Sequence, residues 1–223
     1  MRISVVIPVL NEAQVLPGCL AGCSQAWERV VVDGGSTDRS LEAARAAGAR
    51  LVSAPRGRGA QLAAGARACS GDVFLFLHAD TRLPKDWDVH VRRALSRSGA
   101  RWGCFLLGIV PPRPALSAIS WGANLRTLLF RLPYGDQAVF VRQDAYFGAG
   151  GFADAPLMED VDLARRLGAG GGFSPVRAKV EASARRWEAE GPFVATLRNY
   201  RLLTRYLLGA SPESLAGHYP DVR

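Results

Sequence analysis

Short runs of apolar, often β-branched residues alternate with longer stretches of helical periodicity through the first half of the chain. The apolar runs predict strands, and the stretches between them predict helices. Strands and helices that alternate in this way are typical of βαβ units, in which a parallel sheet carries helices on both faces. The predicted strands lie at residues 3–8, 29–33, 50–53 and 72–77, and the predicted helices at 12–25, 36–47, 59–70 and 84–98.

The second half of the chain has a less regular pattern of apolar and polar positions. Three prolines within residues 111–114 interrupt it after its first strand. Because no internal repeat and no low-complexity linker divides the chain, we expect residues 1–223 to form a single domain of the α/β class. The predicted strands of this half lie at residues 102–110, 137–141 and 176–183, and the predicted helices at 115–132, 157–167 and 191–208.

Polar side chains follow the predicted strands at their carboxyl ends. Asn11 and Glu12 come after the first strand, and Asp33 closes the second. His78 and Asp80 follow the fourth. Ligands of open parallel sheets bind beyond these strand ends. The pattern therefore predicts a ligand site along this edge, with several acidic groups facing it.

Asp33 and Asp38 lie on either side of a glycine pair, and we expect them to differ in role. Gly34 and Gly35 let the backbone approach a ligand closely. Ser36 or Asp38 can cap the helix that follows, so we assign Asp38 to capping. Asp33 has no comparable local task, and we expect it to accept a hydrogen bond from a base N–H or a ribose hydroxyl.

The chain is basic, with 28 Lys and Arg against 20 Asp and Glu and a formal net charge of +8. Nearly all of the cations are arginines, whose planar fork suits phosphate and carboxylate. Arg56, Gly57, Arg58 and Gly59 precede a predicted helix, where backbone N–H groups, the helix dipole and guanidinium groups favour a diphosphate. GxxxxGK[ST] is absent, and so is GxGxxG after the first strand, which disfavours Walker-type NTPases and dinucleotide oxidoreductases.

A divalent cation is expected at Asp80. Residues 77–80, Leu-His-Ala-Asp, end the fourth strand with one carboxylate. Mg²⁺ and Mn²⁺ are held against a diphosphate by carboxylates of this kind. Such an ion would neutralise a departing diphosphate.

Acidic residues are concentrated at the start of one predicted helix, in Glu159, Asp160 and Asp162. Acids in a first turn complement the helix dipole. Three acidic residues are more than the helix dipole requires. We therefore expect one of these carboxylates, close to the edge of the sheet where the strands end, to be a general base that takes a proton from an attacking hydroxyl.

Arg185, Arg186 and Trp187 form a compact cationic and aromatic cluster. Paired arginines can bind a phosphate, and a tryptophan can stack on a sugar or another ring. A salt-bridged surface turn is the alternative explanation of this cluster.

Membrane-spanning and secreted classes are disfavoured. No stretch reaches the roughly 20 apolar residues that a spanning helix needs, and the apolar run at residues 3–10 lacks a signal-peptide cleavage pattern. Cys19, Cys23, Cys69 and Cys104 lack the spacing of a zinc site and are expected to be buried reduced thiols. These features predict a cytoplasmic protein.

In this order and spacing, the motifs resemble those of family 2 glycosyltransferases, which have the GT-A fold. The resemblance extends over about residues 1–187. Its motifs are VVIPVLNE at 5–12, VVDGGSTDRS at 31–40, LHAD at 77–80 in place of a DXD motif, EDVD at 159–162, and RW at 186–187 as the end of a QxxRW signature. Within the family, the chain is similar to small bacterial members with LHADT, YGDQ, LMED and SxRRW, here at 77–81, 134–137, 157–160 and 183–187.

The resemblance implies a GT-A, or nucleotide-diphospho-sugar transferase, fold. Such a fold has a Rossmann-like mixed sheet, mainly parallel, with helices on both faces. The implied activity is an inverting hexosyl transfer from a UDP- or GDP-sugar to the hydroxyl of a small-molecule or lipid-linked acceptor. Residues 1–110 would form the nucleotide-binding half, 111–190 the acceptor and catalytic half, and 191–223 a C-terminal helical segment.

The resemblance also implies roles for individual residues. The catalytic residues would be Asp160, as the general base, and Glu159. Asp80 would hold Mg²⁺ or Mn²⁺ as the single carboxylate at the DXD position. The nucleotide would be bound by Pro8, Val9, Asn11, Glu12, Asp33, Gly34, Arg58, His78 and Ala79. The acceptor or diphosphate would contact Gly135, Asp136, Gln137, Arg185, Arg186 and Trp187.

Two other functions remain as alternatives. A nucleotidyltransferase would also use an α/β fold and a metal-bound nucleotide, but the loop at 8–12 has no Lys or Arg for its basic signature. A basic module that binds a membrane surface fits the predicted helices at 115–132 and 191–208. These helices carry Arg126, Arg131, Arg198, Arg201 and Arg205 among apolar residues.

Nucleic acid is not an expected partner. The chain is basic, but it carries no nucleic-acid-binding motif beyond that charge. Peripheral contact with the inner face of a membrane is kept as a secondary expectation, because it would suit a lipid-linked acceptor.

Overall fold

The computed structural model describes residues 1–218, so the last five residues of the predicted C-terminal segment lie outside the described residues. The strands are β1 (Ile3–Val9), β2 (Glu28–Asp33), β3 (Arg50–Ser53), β4 (Val73–Phe76), β5 (Thr81–Arg82), β6 (Trp102–Gly103), β7 (Phe105–Val110), β8 (Phe140–Arg142) and β9 (Val176–Ser183). The helices are α1 (Leu16–Ala21), α2 (Ser40–Ala46), α3 (Arg58–Ala68), α4 (Trp87–Leu95), α5 (Pro114–Phe130), α6 (Gln143–Gly148), α7 (Glu159–Ala169), α8 (Arg185–Glu190), α9 (Pro192–Leu207) and α10 (Pro212–Ala216). A 3₁₀ turn at Gly135–Gln137 precedes β8.

Strand β1 lies inside a six-stranded sheet with the order β3-β2-β1-β4-β8-β6. The first four strands are parallel, whereas β8 is antiparallel to both β4 and β6. Every residue of β1 is buried, as expected for a parallel strand that is covered on both faces. The predicted α/β fold with a mixed, mainly parallel sheet is therefore confirmed.

Alternate residues of β1 enter two separate cores, because successive side chains of a strand point to opposite faces. Val5 and Ile7 join a core that includes residues of α1, α2 and α4. Val6 joins a second core with residues of α3, α6 and α7. With both faces covered, the carboxyl ends of β1, β2 and β4 meet at one edge and bring their polar loops together.

A smaller three-stranded sheet, with the order β5-β9-β7, links the end of β4 to the late part of the chain. Strand β5 begins directly after Asp80 and pairs antiparallel with β9. The Ser183 amide donates a hydrogen bond to the Asp80 carbonyl at 3.2 Å. The small sheet therefore holds the end of β9, and with it α8, beside Asp80.

The strand predicted at residues 102–110 is two strands in the structure. Strand β6 pairs with β8 in the large sheet, and β7 pairs with β9 in the small one. Both pieces are apolar and largely buried, so an apolar run alone does not reveal that the chain passes from one sheet to the other.

Two other predicted elements are shorter than expected. The helix predicted at 12–25 begins only at Leu16, because Asn11 has a left-handed backbone (φ 56°) and the following amides bond to the loop after β2. The strand predicted at 137–141 begins only at Phe140, because Ala138 also has a positive φ of 45°. Such positive φ values interrupt regular helix and strand geometry.

Candidate active site

A pocket opens beyond the carboxyl end of β4 and is walled by residues from both halves of the chain. The loop after β4, the 3₁₀ turn before β8 and the start of α7 contribute to it, and so do α5, α8 and α9. Its charged and polar wall residues include Arg58, His78, Asp80, Arg126, Tyr134, Asp136, Glu159, Asp160, Arg186, Thr196, Asn199 and Tyr200.

Asp160 is held at this pocket by backbone hydrogen bonds. Its Oδ2 accepts a hydrogen bond from the Gly135 amide at 2.6 Å, and its Oδ1 accepts one from the Val161 amide at 2.7 Å. Gly135 has no room for a side chain, because a Cβ there would lie 2.6 Å from Nε2 of His78. His78, Gly135 and Asp160 therefore meet at one point, although they belong to three separate parts of the chain.

Glu159 has a different environment from Asp160. Its side chain is only 3% exposed, and its Oε1 lies 3.4 Å from Nη1 of Arg58. Burial raises the pKa of Glu159 to about 7, and Arg58 opposes part of that rise. The ion pair ties the start of α7 to the start of α3.

The start of α3 differs from the diphosphate cradle expected at residues 56–59. Gly59 lies against the loop before α7, where a Cβ would come within 2.4 Å of the Ala153 carbonyl oxygen. This glycine therefore permits close contact between two segments of the chain. The Arg58 side chain still reaches the pocket wall.

Arg126 of α5 lies in the pocket wall, which corrects the expectation that it faces a membrane. The residue is only 8% exposed. Its guanidinium carbon lies 3.6 Å from the centroid of the Tyr134 ring, a cation–π contact. Its Nε donates a hydrogen bond to the Leu132 carbonyl at 3.0 Å. Arg126 thus helps to hold the segment that leads into the 3₁₀ turn.

Asp136, which is predicted to contact the acceptor or the diphosphate, lines the same pocket from the 3₁₀ turn. Burial raises the pKa of Asp136 to about 6. The positive charges of Arg126 and Arg186 oppose this rise, and the carboxylates of Asp160 and Asp80 add to it. Burial therefore makes the Asp136 carboxyl group easier to protonate than that of an exposed aspartate.

Gln137 is fully buried and does not line the pocket, so its expected contact with acceptor or diphosphate is wrong. Its Oε1 accepts hydrogen bonds from Oγ1 of Thr127 at 2.8 Å and from the Tyr134 amide at 3.2 Å. Its Nε2 donates to the Phe105 carbonyl at 3.3 Å. Gln137 has a structural role, because it fastens the 3₁₀ turn to α5 and β7.

Arg185 joins two of the acids that follow the strands. Its Nη2 lies 3.0 Å from Oε2 of Glu12 and 3.4 Å from Oδ2 of Asp80. The Arg185 side chain is 51% exposed. A half-exposed cation therefore balances two carboxylates at the place where the sequence predicts a diphosphate.

The surroundings of Asp80 fit a magnesium or manganese ion that is shared with a diphosphate. Within residues 1–218, no group of three or more His, Cys, Asp or Glu side chains could hold a metal by itself. Mg²⁺ commonly binds one or two protein carboxylates and takes its other ligands from phosphates and water. Asp80, which lines the pocket with its side chain 31% exposed, can supply one such carboxylate.

The loops after β1 and β2 are bonded to each other. The Thr37 amide donates to Oδ1 of Asn11 at 2.8 Å, and the Glu12 amide donates to Oγ of Ser40 at 2.8 Å. Asn11 and Glu12 therefore do more than open the first helix. They join the two strand ends at which the nucleotide is expected.

Asp33 has local partners, contrary to expectation. Its carboxylate accepts hydrogen bonds from the amides of Gly35 at 3.1 Å and Ser36 at 3.0 Å. It thereby closes the turn after β2. Asp38 lies one residue before the N-cap position of α2, which is Arg39, and its Oδ1 accepts hydrogen bonds from the amide and the hydroxyl of Ser40, the first residue of α2.

Gln61 of α3 organises the same edge and was missed in the sequence analysis. It is 1% exposed, and its Nε2 donates to the carbonyls of Val9 and Val32, each at 2.8 Å. A Cβ on Gly34 would lie 3.0 Å from the Gln61 amide group. The only sequence signal was one amide among the small and apolar residues of a predicted helix.

The expected nucleotide residues fall into two neighbouring groups. Arg58, His78 and the metal candidate Asp80 line the pocket. The remaining ones lie outside its wall, at Pro8, Val9, Asn11, Glu12, Asp33, Gly34 and Ala79. The Arg185 bridge between Glu12 and Asp80 connects the two groups. The side chains of Pro8, Val9 and Ala79 are buried, which leaves only their backbone for a ligand.

Several buried polar atoms in the pocket wall have no hydrogen-bond partner within the part of the chain that the structure describes. They are Oη of Tyr134, Oδ1 of Asp136, Nε1 of Trp187, Oγ1 of Thr196 and Oδ1 of Asn199. A buried polar group without a partner is destabilising by about 1–3 kcal/mol. A pocket wall with such atoms suits a polar ligand. Tyr134, Thr196 and Asn199 are site residues that the sequence did not predict.

Arg186 and Trp187, which are predicted to contact the acceptor or the diphosphate, line the pocket, and both belong to α8. No helix within residues 1–218 is long and apolar enough to cross a membrane.

The cysteines are unpaired thiols, as expected; Cys19, Cys23 and Cys104 are buried, whereas Cys69 is half-buried.

Comparisons with known proteins agree with this geometry. Residues 4–105 match the family model described as glycosyl transferase family 2. An undecaprenyl-phosphate 4-deoxy-4-formamido-L-arabinose transferase of Yersinia pestis (strain Pestoides F) is 35% identical over 100 residues, which cover 38% of this chain and 31% of that protein. The chain thus spans about a third of the length of the curated relatives that it matches.

Solved structures share the fold over most of the chain. A crystal structure of S. aureus TarS 1–349 superposes with a TM-score of 0.67 at 17% identity, covering 89% of this chain and 64% of that one. Glucosyl-3-phosphoglycerate synthase from Mycobacterium tuberculosis, in complex with Mg²⁺ and UDP, superposes with a TM-score of 0.60 at 23% identity, covering 81% and 70%. The sheet order and these superpositions show that the chain has the GT-A fold, and its residues 4–105 match glycosyltransferase family 2.

Proposed function

We propose that the chain transfers a sugar from a nucleotide-diphosphate donor to an acceptor hydroxyl, with inversion at the anomeric carbon. The observation that carries this proposal is that Asp80, Asp160 and Arg186 line one pocket. They supply a metal ligand, a base and a counter-charge for a diphosphate. The family match supports sugar transfer as the reaction class.

The donor nucleotide is proposed to lie along the edge formed by the loops after β1 and β2. An ionised carboxylate offers about four acceptor positions, so Asp33 can bond a ribose hydroxyl or a base N–H in addition to its two loop amides. The M. tuberculosis synthase was crystallised with UDP, and S. aureus TarS with UDP-GlcNAc. These complexes favour a UDP-sugar over a GDP-sugar.

Asp160 is the proposed general base. Its two backbone hydrogen bonds fix the carboxylate and leave acceptor positions for an incoming hydroxyl. The hydroxyl oxygen forms a bond to the anomeric carbon while the bond from that carbon to the diphosphate oxygen breaks, and the proton passes to Asp160. Attack from the side opposite the leaving group inverts the anomeric centre.

Glu159 is proposed to position the site and not to contact the substrate. Its carboxyl group is buried against Arg58, which is itself in the pocket wall. The ion pair holds the first turn of α7, and therefore Asp160, at a defined distance from α3.

Arg185 and Arg186 are proposed to stabilise the departing diphosphate, whose negative charge grows as the glycosidic bond breaks. Arg185 is already shared between Glu12 and Asp80 and can turn to a phosphate oxygen without leaving this edge. When bound at Asp80, Mg²⁺ or Mn²⁺ would supply additional neutralisation of the diphosphate.

The acceptor is proposed to place its reactive hydroxyl among the unpartnered polar atoms of the pocket. The Yersinia relative is named for undecaprenyl phosphate, which supports a lipid-linked acceptor. Peripheral contact with the inner face of a membrane would suit such an acceptor. A small-molecule acceptor is the alternative, and the M. tuberculosis synthase has been crystallised with phosphoglyceric acid. The family model and the Yersinia relative are both of sugar transferases, which favours sugar transfer over the nucleotidyltransferase alternative.

A panel of UDP- and GDP-sugars, measured by thermal shift with and without Mn²⁺, tests the proposal. A donor present at about 100 times its Kd stabilises a protein by about 2.7 kcal/mol. We expect at least one UDP-sugar to raise the melting temperature, and Mn²⁺ to increase the rise. The same donor should then be consumed when a polyprenyl phosphate is added. The absence of a shift with every donor would overturn the proposed function.

A further inference from the structure

Helices α5 and α9 leave apolar side chains uncovered. On α5, Trp121, Leu125 and Leu128 are 69%, 40% and 48% exposed, and their spacing of four and three residues puts them on one face of the helix. On α9, Phe193 and Leu197 are 77% and 72% exposed and are four residues apart. We call these five side chains the apolar surface. A clustered set of this kind marks an interaction site, whereas single exposed apolar residues do not.

The apolar surface adjoins the pocket. The two helices touch, since a Cβ on Gly122 of α5 would lie 3.6 Å from the Tyr200 hydroxyl of α9. Both helices also wall the pocket, α5 through Ala123 and α9 through Asn199. A partner that covers the apolar surface would therefore lie next to the entrance of the pocket.

The charges on these helices are all of one sign. Residues 114–132 and 192–208 contain no Asp or Glu, and every charged residue in them is an arginine. Arg131 and Arg201 are exposed. Glu181 and Lys179 of β9 line a groove with the three α5 side chains, and Arg131 and Arg201 add positive charge to the two helices. Apolar side chains accompanied by such arginines match the acyl boundary and the anionic headgroups of a bilayer.

We propose that the apolar surface docks on a lipid bilayer that contains anionic headgroups. Trp121, Phe193 and Leu197 enter the headgroup boundary, and Arg131 and Arg201 pair with lipid phosphates. The consequence rests on the proposed function: docking brings the pocket next to the membrane, so a lipid-linked acceptor reaches Asp160 while its tail stays in the bilayer.

Sedimentation with vesicles tests the docking. The probes are phosphatidylcholine vesicles with and without about 30% phosphatidylglycerol. We expect binding to the anionic vesicles that weakens between about 0.1 M and 0.5 M salt. The double variant Phe193→Gln with Leu197→Gln should bind these vesicles at least tenfold more weakly. The double variant Arg131→Gln with Arg201→Gln should lose most of the preference for phosphatidylglycerol.

Val89→Gln is the matched control, because Val89 is a 56% exposed apolar residue on α4, outside the apolar surface. It should bind vesicles like the unaltered chain. Failure of the unaltered chain to bind anionic vesicles would overturn the docking, and so would equal binding by the Phe193 and Leu197 double variant. The unaltered chain could instead form a dimer, fail to bind vesicles and become monomeric in the double variant. That result would assign the apolar surface to a second copy of the chain and would also overturn the docking.

A UDP thermal shift on the same samples separates the two proposals. UDP stabilisation without vesicle binding overturns the docking and leaves the sugar transfer standing. Vesicle binding without stabilisation by UDP or by any nucleotide-sugar supports the docking and overturns the sugar transfer. The melting temperatures of the variants without ligand show that they are folded.

Discussion

The Gly135 amide donates a 2.6 Å hydrogen bond to Oδ2 of Asp160 and so joins the 3₁₀ turn before β8 to the first turn of α7. The bond crosses 25 residues of sequence. It aims the proposed base into a pocket that also contains Asp80 and Arg186. Placement of a base to within a fraction of an ångström is what proton transfer at a reacting centre requires.

Gly135→Ala should impair the transfer step more than donor binding. The added Cβ would lie 2.6 Å from Nε2 of His78, so either the His78 ring or the Gly135 backbone, whose amide bonds to Oδ2 of Asp160, must move. A displacement of about 1 Å can lower kcat about 100-fold. Turnover and UDP affinity, measured separately, check this. Gly148→Ala is the control, since nothing lies within 4 Å of a Cβ there; equal kcat in both variants would contradict the positioning of Asp160 by Gly135.

Asp160→Asn should abolish transfer and leave donor binding nearly intact. The amide keeps the shape of the carboxylate but cannot take a proton, and loss of a general base lowers kcat by about 10²–10⁴-fold. Steady-state turnover and UDP thermal shift are the two measurements. Asp154→Asn, at an exposed acid in the loop before α7, is the matched control. Normal turnover by Asp160→Asn would refute the assignment of the base.

Arg185→Gln should weaken binding of UDP more than binding of uridine. The substitution removes the guanidinium that bridges Glu12 and Asp80 and that we expect to turn to the diphosphate. Charge-assisted hydrogen bonds contribute about 1.5–3 kcal/mol, which corresponds to about a tenfold to hundredfold loss of affinity. Calorimetric titration with both ligands measures the difference. Arg177→Gln, at an exposed arginine of β9, should change neither affinity, and equal losses for UDP and uridine in Arg185→Gln would rule out a diphosphate contact.

Gln61→Ala should destabilise the fold and weaken nucleotide binding. It leaves the carbonyls of Val9 and Val32 without the donor that each has at 2.8 Å. The Val9 carbonyl keeps its hydrogen bond from the Gly34 amide at 3.0 Å, so we expect the variant to be destabilised by about 1–3 kcal/mol in all, the cost of one unsatisfied buried group. Urea denaturation measures the change in the free energy of unfolding. Gln143 is exposed, so the control variant Gln143→Ala should change the free energy of unfolding by no more than about 0.5 kcal/mol. An equally small change in Gln61→Ala would mean that the hydrogen bonds of Gln61 do not hold the two strands together.

Glu159→Gln should change how the stability of the chain depends on pH. The pKa of Glu159 is raised from 4.5 to about 7, chiefly by burial. Between these values the unfolded chain has lost the proton that the folded chain keeps, so the stability of the unaltered chain falls as pH rises through this window and then levels off.

The glutamine variant lacks this titration. The difference between its melting temperature and that of the unaltered chain at the same pH should therefore increase as the pH rises from 4.5 to about 7. The Arg58 ion pair forms only when Glu159 is ionised, and its effect is already included in the folded-state pKa, which Arg58 lowers against the larger effect of burial. Parallel curves for the two proteins, or curves that diverge in the opposite direction, would contradict the raised pKa.

Several strands of both sheets could be predicted because their signals are local. The strand predicted at residues 50–53 has the bounds of β3, and the one at 176–183 has the bounds of β9. Apolar runs bounded by polar residues predict buried strands, since each residue there must be covered on one or both faces. The same rule could not show that residues 102–110 serve two sheets, because strand partners are decided by distant parts of the chain.

The sequence by itself determined which chemical groups stand after the strands: Glu12, Asp33, Asp80 and Asp160 can be named from their place after a predicted strand or at the start of a helix. It also supplied the motifs of the family. These features depend on neighbouring residues, so they can be interpreted without the fold.

Only the tertiary structure decided which of those groups meet. Arg185 bonds to Glu12 across 173 residues, and Gln61 bonds to Val9 across 52. Arg126 turned out to be buried in the pocket wall, although its helix suggested a surface role. Contacts of this kind arise when the two sheets and their helices pack, because packing selects the partner of each polar group from the whole chain and not from its neighbours in sequence.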